Sequence, residues 1–236
     1  MVPKVFAATD VGTTRPSNED SFACMASGTY MVADGMGGHA AGEVASHIFV
    51  DTVQNYLNTE PQVSELVLKK AVLQANKAIL QTVGEHPDYA GMGTTATLFH
   101  QNGDTCVFAH VGDSRLYLLH AGTMVQISKD HSYVQDLLEK GEITSEEARV
   151  HPKRNMITRA VGVEENLAVD TGMFKVGADD VALLCTDGLT SVVTDEEIQS
   201  ILLNETGADK AALLIKAAID AGSRDNITAV VVDYHA

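Results

Sequence analysis

Residues 30–39 read YMVADGMGGH, and the fold turns on how that stretch is taken. An apolar run, Tyr30, Met31, Val32 and Ala33, stops at the carboxylate of Asp34. Gly35, Met36, Gly37, Gly38 and His39 follow, and a helical pattern begins directly afterwards. A buried strand that stops at an acid and turns through glycines sets that acid at the rim of a core. Glycine also lets the backbone there approach a ligand closely, the reading given to Gly37 and Gly38. One Asp-Gly pair after a strand is weak evidence, because most such pairs are plain turns. The chain repeats the arrangement, and the repetition carries the reading.

Outward from this stretch, residues 4–11 read as a strand and 12–20 (GTTRPSNED) as a polar loop. Residues 21–27 and 29–33 form a hairpin pattern about Gly28. After His39, Ala45, Ile48, Phe49, Thr52 and Tyr56 recur at helical spacing. A second helix carries Leu68, Val72, Ala75, Ile79 and Val83 and stops at Gly84. Residues 94–100, 104–111 and 115–120 are short strand-like runs, the first two joined at Asn102-Gly103. Residues 128–160 are polar with two short helical pieces, Gly141 as a C-cap and Thr144 with Glu147 as a capping box. Residues 180–185 form a buried strand ending at Thr186-Asp187-Gly188. Thr194 and Glu197 form a second capping box before Ile198, Ile201 and Leu202. A last helix over 208–219 precedes a closing strand, Ile227–Asp233.

No linker, low-complexity stretch or fixed-period repeat divides the 236 residues. Strand blocks and helix pairs alternate in groups rather than singly. That pattern favours an α+β fold of mostly antiparallel sheets covered by helices over a doubly wound parallel sheet.

The formal net charge is −16, with 32 Asp and Glu against 16 Lys and Arg. Such a balance argues against nucleic acid, whose phosphates require clustered cations. It fits either plain solubility or acids that serve as metal ligands, so position must decide. Three cysteines (Cys24, Cys106, Cys185) sit in apolar runs without CxxC spacing, as buried reduced thiols do. With no signal peptide and no apolar run of about 18 residues, the expectation is a cytoplasmic chain without a membrane segment.

Five acids share one address, where a buried strand meets a loop: Asp20, Asp34, Asp113, Asp187 and Asp225. Singly, Asp20, Asp113 and Asp225 read as turn or loop caps. Together, on strands of sheets with a common rim, they form a cluster whose like charges raise each other's pKa unless cations offset them. All-oxygen ligands without a His or Cys cluster suit Mg²⁺ or Mn²⁺ rather than Zn²⁺.

Eight motifs now stand in order: RPSNED (15–20), ADGMGGHAAGEVAS (33–46), GTTAT (93–97), HVGDSR (110–115), SKDHS (128–132), ITRAVG (157–162), LLCTDGL (183–189) and SRDNIT (223–228). Together they resemble the metal-dependent serine/threonine protein phosphatases of the 2C class, in their compact bacterial form. The resemblance implies a four-layer α-β-β-α sandwich, one catalytic domain over 1–236, and a flap at about 130–160. It implies that Asp34 bridges two ions, that the Gly35 carbonyl binds the second, and that Asp187 and Asp225 bind the first. Glu19 and Asp20 would hold metal-bound waters, and Asp113 with Asp187 a third ion. A hydroxide shared by the two metals would attack phosphorus with no phosphoenzyme intermediate. Arg15, with its planar fork, is the candidate for gripping the phosphoryl group. His39 is either the general acid for the leaving oxygen or a helix-start histidine bonded to a carboxylate.

Arg149, Lys153, Arg154 and Arg159 form a local basic run suited to a phosphopeptide, or a solvated loop face. Thr95, Ser114 and Thr186 are weaker candidates for hydroxyls supporting the acids. The expected partners are phosphorylated proteins, targets of a serine/threonine kinase, met by a monomer. Hydrolysis of small phosphate esters is the competing activity, and a non-catalytic metal-binding signalling module is the third reading.

Overall fold

Alternation of apolar residues along the strands builds the layers. The computed structural model describes residues 2–38, 41–204 and 208–235. One sheet runs β1 (Lys4–Asp10), β11 (Ile227–Asp233), β10 (Val181–Cys185), β7 (Arg115–His120), β8 (Thr123–Gln126). The other runs β2 (Asp20–Cys24), β3 (Thr29–Met36), β5 (Ala96–Asn102), β6 (Thr105–Val111), β9 (Asp170–Lys175), with the short β4 (Gly93–Thr94) beside β3. The strand pairings in both sheets are antiparallel.

Successive side chains point to opposite faces of a strand, so each buried strand feeds two cores. On β3, Met31 and Ala33 pack with Ala45 and Phe49 of α1 (Ala41–Leu57) and Leu68 and Val72 of α2 (Glu65–Glu85). Tyr30 and Val32 turn the other way and meet Leu184, Val230 and Val232 of the facing sheet. On β11, Ile227, Ala229 and Val231 pack against Ile198 and Leu202 of α6 (Asp195–Asn204) and Leu214 and Ala218 of α7 (Lys210–Asp220). The result is the α-β-β-α sandwich. Between the sheets, Phe99 lies 5.1 Å from Tyr30 and 5.6 Å from Phe174, ring centre to ring centre.

Outside the layers, α3 (Tyr133–Glu139) and α4 (Ser145–Val150) form an excursion between β8 and β9. A bridge between Ser132 and Ile157 closes its two stems. Both capping boxes form, at Thr144 with Glu147 and at Thr194 with Glu197. Gly141 follows α3 in the left-handed region at φ 68°, as a C-cap glycine does.

Several local readings need correction. β3 does not stop at Asp34; Gly35 and Met36 continue it by pairing with Thr94 and Gly93. The hairpin after β5 turns at Gly103-Asp104, between paired Asn102 and Thr105, while the Asn102 amide instead reaches the Val63 carbonyl. On α1, Val53 rather than Thr52 is buried. Cys24 is not a core thiol: it is exposed at the end of edge strand β2, whereas Cys106 and Cys185 are buried and free. β8 and β9 carry no strong pattern because each is a half-exposed sheet edge.

Phe99 is fully buried where the two sheets meet. Phe99→Ala should cost about 3–5 kcal/mol, read from the shift of the urea unfolding midpoint at unchanged slope.

Candidate active site

Strand parity sends the acids to one place. Asp34 shares its face of β3 with Tyr30 and Val32, so its carboxylate lies at the open end of the seam between the sheets. The β2–β3 register sets Asp20 directly opposite Asp34. Asp20 Oδ2 accepts hydrogen bonds across the seam from the Thr186 hydroxyl (2.8 Å) and the Thr228 hydroxyl (2.7 Å). Thr228 in turn shares a 2.8 Å hydrogen bond with Thr9 on β1. Asp113 follows β6 on a loop held by Ser114, whose hydroxyl lies 2.7 Å from that of Thr95. Thr95 Oγ1 also accepts from the Asp34 backbone N–H at 2.9 Å. The three hydroxyls expected at the acids are there, and Thr9 and Thr228 join them.

The repeated Asp-Gly has one physical cause. A Cβ on Gly35 would overlap the Gly42 carbonyl at the start of α1 and the backbone of Glu19. A Cβ on Gly188 would overlap the Asn226 carbonyl beside Asp225. In each case two backbone segments bearing an acid can meet only because one lacks a side chain. Gly38 does not follow this rule, since a Cβ there would meet nothing. Asn226, in the SRDNIT motif, staples the loop: its amide donates to the Val11 and Ser17 carbonyls at 2.9 Å. Its carbonyl oxygen accepts from Glu19 N at 2.8 Å.

Burial and like charge dominate the electrostatics. Desolvation, opposed by the two threonine hydroxyls and reinforced by Asp187 and Asp225, raises Asp20 to about 7. Desolvation, then Asp225, raises Asp187 to about 6, with the Asp34 carboxyl as a hydrogen-bonding neighbour that lowers it. Asp34 is pushed well above the carboxylate range by burial and then by Asp20, Asp187, Asp113 and Asp225. Burial and Asp187 likewise raise Asp113. Glu19 is raised by desolvation and relieved by Arg15.

Two buried oxygens, Asp20 Oδ1 and Asp187 Oδ1, have no hydrogen-bond partner among the described residues. Orphaned buried carboxylate oxygens within an acid cluster fit a hard divalent cation, whose preferred ligands are oxygens. Among the described residues no group of three or more His, Cys, Asp or Glu side chains is arranged so that it could hold a metal ion. Asp225 instead accepts from the Arg15 guanidinium at 2.8 Å, so Arg15 partly offsets the acids itself. Arg15 is therefore at the site, though its observed partner is a carboxylate. Gly35 is there too, its N–H bonded to the Glu19 carbonyl at 3.0 Å. His39 lies outside the described residues.

A family model for protein phosphatase 2C matches residues 14–208. The chain belongs to the protein phosphatase 2C family. Among members of that family, the serine/threonine protein phosphatase PstP of Mycobacterium tuberculosis is 42% identical over 234 residues, 99% of this chain and 45% of PstP. This chain thus spans about half the length of that relative. The serine/threonine phosphatase stp of Listeria monocytogenes is 39% identical over 236 residues, covering 95% of this chain and 93% of stp. A crystal structure of the PstP catalytic domain in complex with two manganese ions superposes at a TM-score of 0.90 and 40% identity, over 98% of both chains.

The raised carboxyls set a pH dependence in metal-free protein. Below about pH 4 they are protonated whether folded or unfolded and add no penalty. As pH rises toward the folded-state values, the unfolded chain ionises first, so the folded protein loses stability. Asp34→Asn removes one such group. It should stabilise the chelator-treated protein, by more at pH 8 than at pH 5, in paired urea titrations.

Proposed function

We propose that this chain hydrolyses phosphoserine and phosphothreonine on proteins, with divalent cations held by the carboxylates at the seam. One observation carries the reading: acids from five separate segments lie close enough to raise one another's pKa, and two of their buried oxygens lack a hydrogen-bond partner among the described residues. Family membership and the manganese-bound PstP domain support Mg²⁺ or Mn²⁺ and two catalytic ions; a third ion is part of the proposal. In this reading Asp34, the Gly35 carbonyl, Asp187 and Asp225 would hold the two catalytic ions. Glu19 and the free Oδ1 of Asp20 act through waters, and Asp113 with Asp187 supplies the third. Ions so held lower the pKa of bound water and shield phosphoryl charge.

The chain's own residues do the rest. Thr186 and Thr228 hold Asp20 through Oδ2 and leave Oδ1 without a hydrogen-bond partner among the described residues. Thr95 fixes the backbone of Asp34. Arg15 Nη2 is on Asp225, and the guanidinium has further N–H groups to orient a phosphoryl oxygen. His39 is the proposed proton donor to the departing serine or threonine oxygen. Thiol attack is disfavoured: burial pushes Cys106 and Cys185 up to about 12, so thiolate is scarce there. That supports direct hydrolysis without a phosphoenzyme.

We read residues 1–236 as one catalytic domain and residues 130–160 as its flap. The partners proposed are phosphorylated proteins made by a serine/threonine kinase, approached by a monomer in the cytoplasm. Among the described residues no helix is long and apolar enough to cross a membrane. The charge of −16 argues against nucleic acid as partner.

A manganese-dependent phosphothreonine-peptide assay tests this. Asp34→Ala and Asp187→Asn should each lower turnover by at least about 10³-fold, and chelator should abolish it until manganese is restored. Cleavage of nucleotides and aryl phosphates with phosphopeptides untouched would install the small-ester reading instead. Asp113→Ala should keep two bound ions by calorimetry while turnover falls. Unaltered turnover would remove the third ion from the account.

A further inference from the structure

A pocket of about 320 Å³ opens beside the acids, with Asp113 and Asp187 on its inner wall and Arg149, Arg154 and Asn155 of the α3–α4 excursion on its outer one. Several of the cations around this excursion and its stems are already engaged, Lys129 by Glu139 among them. Arg115 is held by Asp130 in a two-pronged contact at 2.7–3.0 Å, and its Nη1 donates to the Tyr117 hydroxyl. Arg159 donates to Asp170 at 3.0 Å. Lys153 sits over the Tyr133 ring, 4.9 Å from its centre. Arg149 and Arg154 have no ion-pair partner among the described residues. Both line the pocket and both are exposed. Exposed Glu196 is the acid within electrostatic range of Arg149.

None of the acids lining the pocket forms an ion pair with Arg149 or Arg154: Asp130 is matched by Arg115, and Asp195 accepts from the Tyr117 hydroxyl at 3.1 Å. Two unmatched guanidiniums therefore face a side-chain-sized space that opens onto the proposed phosphate site. Guanidinium recognises a carboxylate or phosphate through paired N–H donors.

The geometry points to a specificity subsite: Arg149 and Arg154 bind an acidic or second phosphorylated side chain flanking the phosphoserine or phosphothreonine being hydrolysed. The inference rests on the protein-phosphatase reading above. It assigns the enzyme to phosphoproteins whose sites lie in acidic sequence.

Matched phosphothreonine peptides test it, identical except for Glu, Ala or Lys at the flanking positions, first on one side of the phosphothreonine and then on the other. For wild type, kcat/KM should favour the Glu over the Ala series on one side by about five- to tenfold, as two partly exposed charge pairs can supply. In the Arg149→Ala/Arg154→Ala enzyme that ratio should fall to near one. In Arg149→Glu/Arg154→Glu it should invert in favour of Lys. The ratio is taken within each enzyme, so a general loss of activity does not disturb it. A wild-type ratio of one on both sides, or a ratio that survives both double substitutions, overturns the subsite while leaving phosphopeptide hydrolysis standing. Turnover of an aryl phosphate with none of any peptide overturns the protein-phosphatase reading and the subsite with it.

Discussion

Mutual repulsion among half-buried carboxylates is the constraint from which the rest of this molecule follows. Asp20, Asp34, Asp113 and Asp187 each pay for desolvation and then feel one another's charge. Left alone, such a cluster would push its strands apart. The surroundings hold it instead. Threonine hydroxyls from β11 and the end of β10 grip Asp20, and Asn226 ties the 11–19 loop to the start of β11. Arg15 lends a positive charge to Asp225. A site stored in this way is destabilising until something positive occupies it, as expected where function and stability compete.

The sandwich explains why the acids can be gathered at all. Strands such as β11 are buried along their whole length because helices cover one face and the other sheet covers the second. Only the strand ends and their loops remain open, so polar chemistry concentrates there. Antiparallel pairing then brings ends from distant parts of the chain side by side. The Gly35 and Gly188 approaches let the acid-bearing loops close the last gap. The α3–α4 excursion and the turn after it set Arg149 and Arg154 beside this negative floor. Its stems are anchored at His131, whose N–H reaches the Gly112 carbonyl at 2.7 Å and whose own carbonyl accepts from Thr158 at 2.8 Å.

Much of this was legible in the chain. Helices α1, α2, α6 and α7 declared themselves by spacing, and β11 matched its expected limits, because deeply buried elements must carry an unbroken apolar pattern. Edge strands β8 and β9 left no such mark, since half their residues meet water. Cys24 was misplaced for the same reason: an apolar neighbourhood in sequence does not reveal an edge in space.

By itself the sequence determined which acids lie near strand ends, that glycine follows two of them, and hence that a carboxylate site is built where strands meet loops. Those are properties of residue type and local pattern. Tertiary structure alone decided that Asp20 faces Asp34 across one pair of strands, that Thr228 rather than a neighbour in sequence supports Asp20, and that Arg149 and Arg154 face the pocket unmatched. These contacts join residues up to 208 positions apart, and they depend on strand register and sheet facing, which no local pattern encodes.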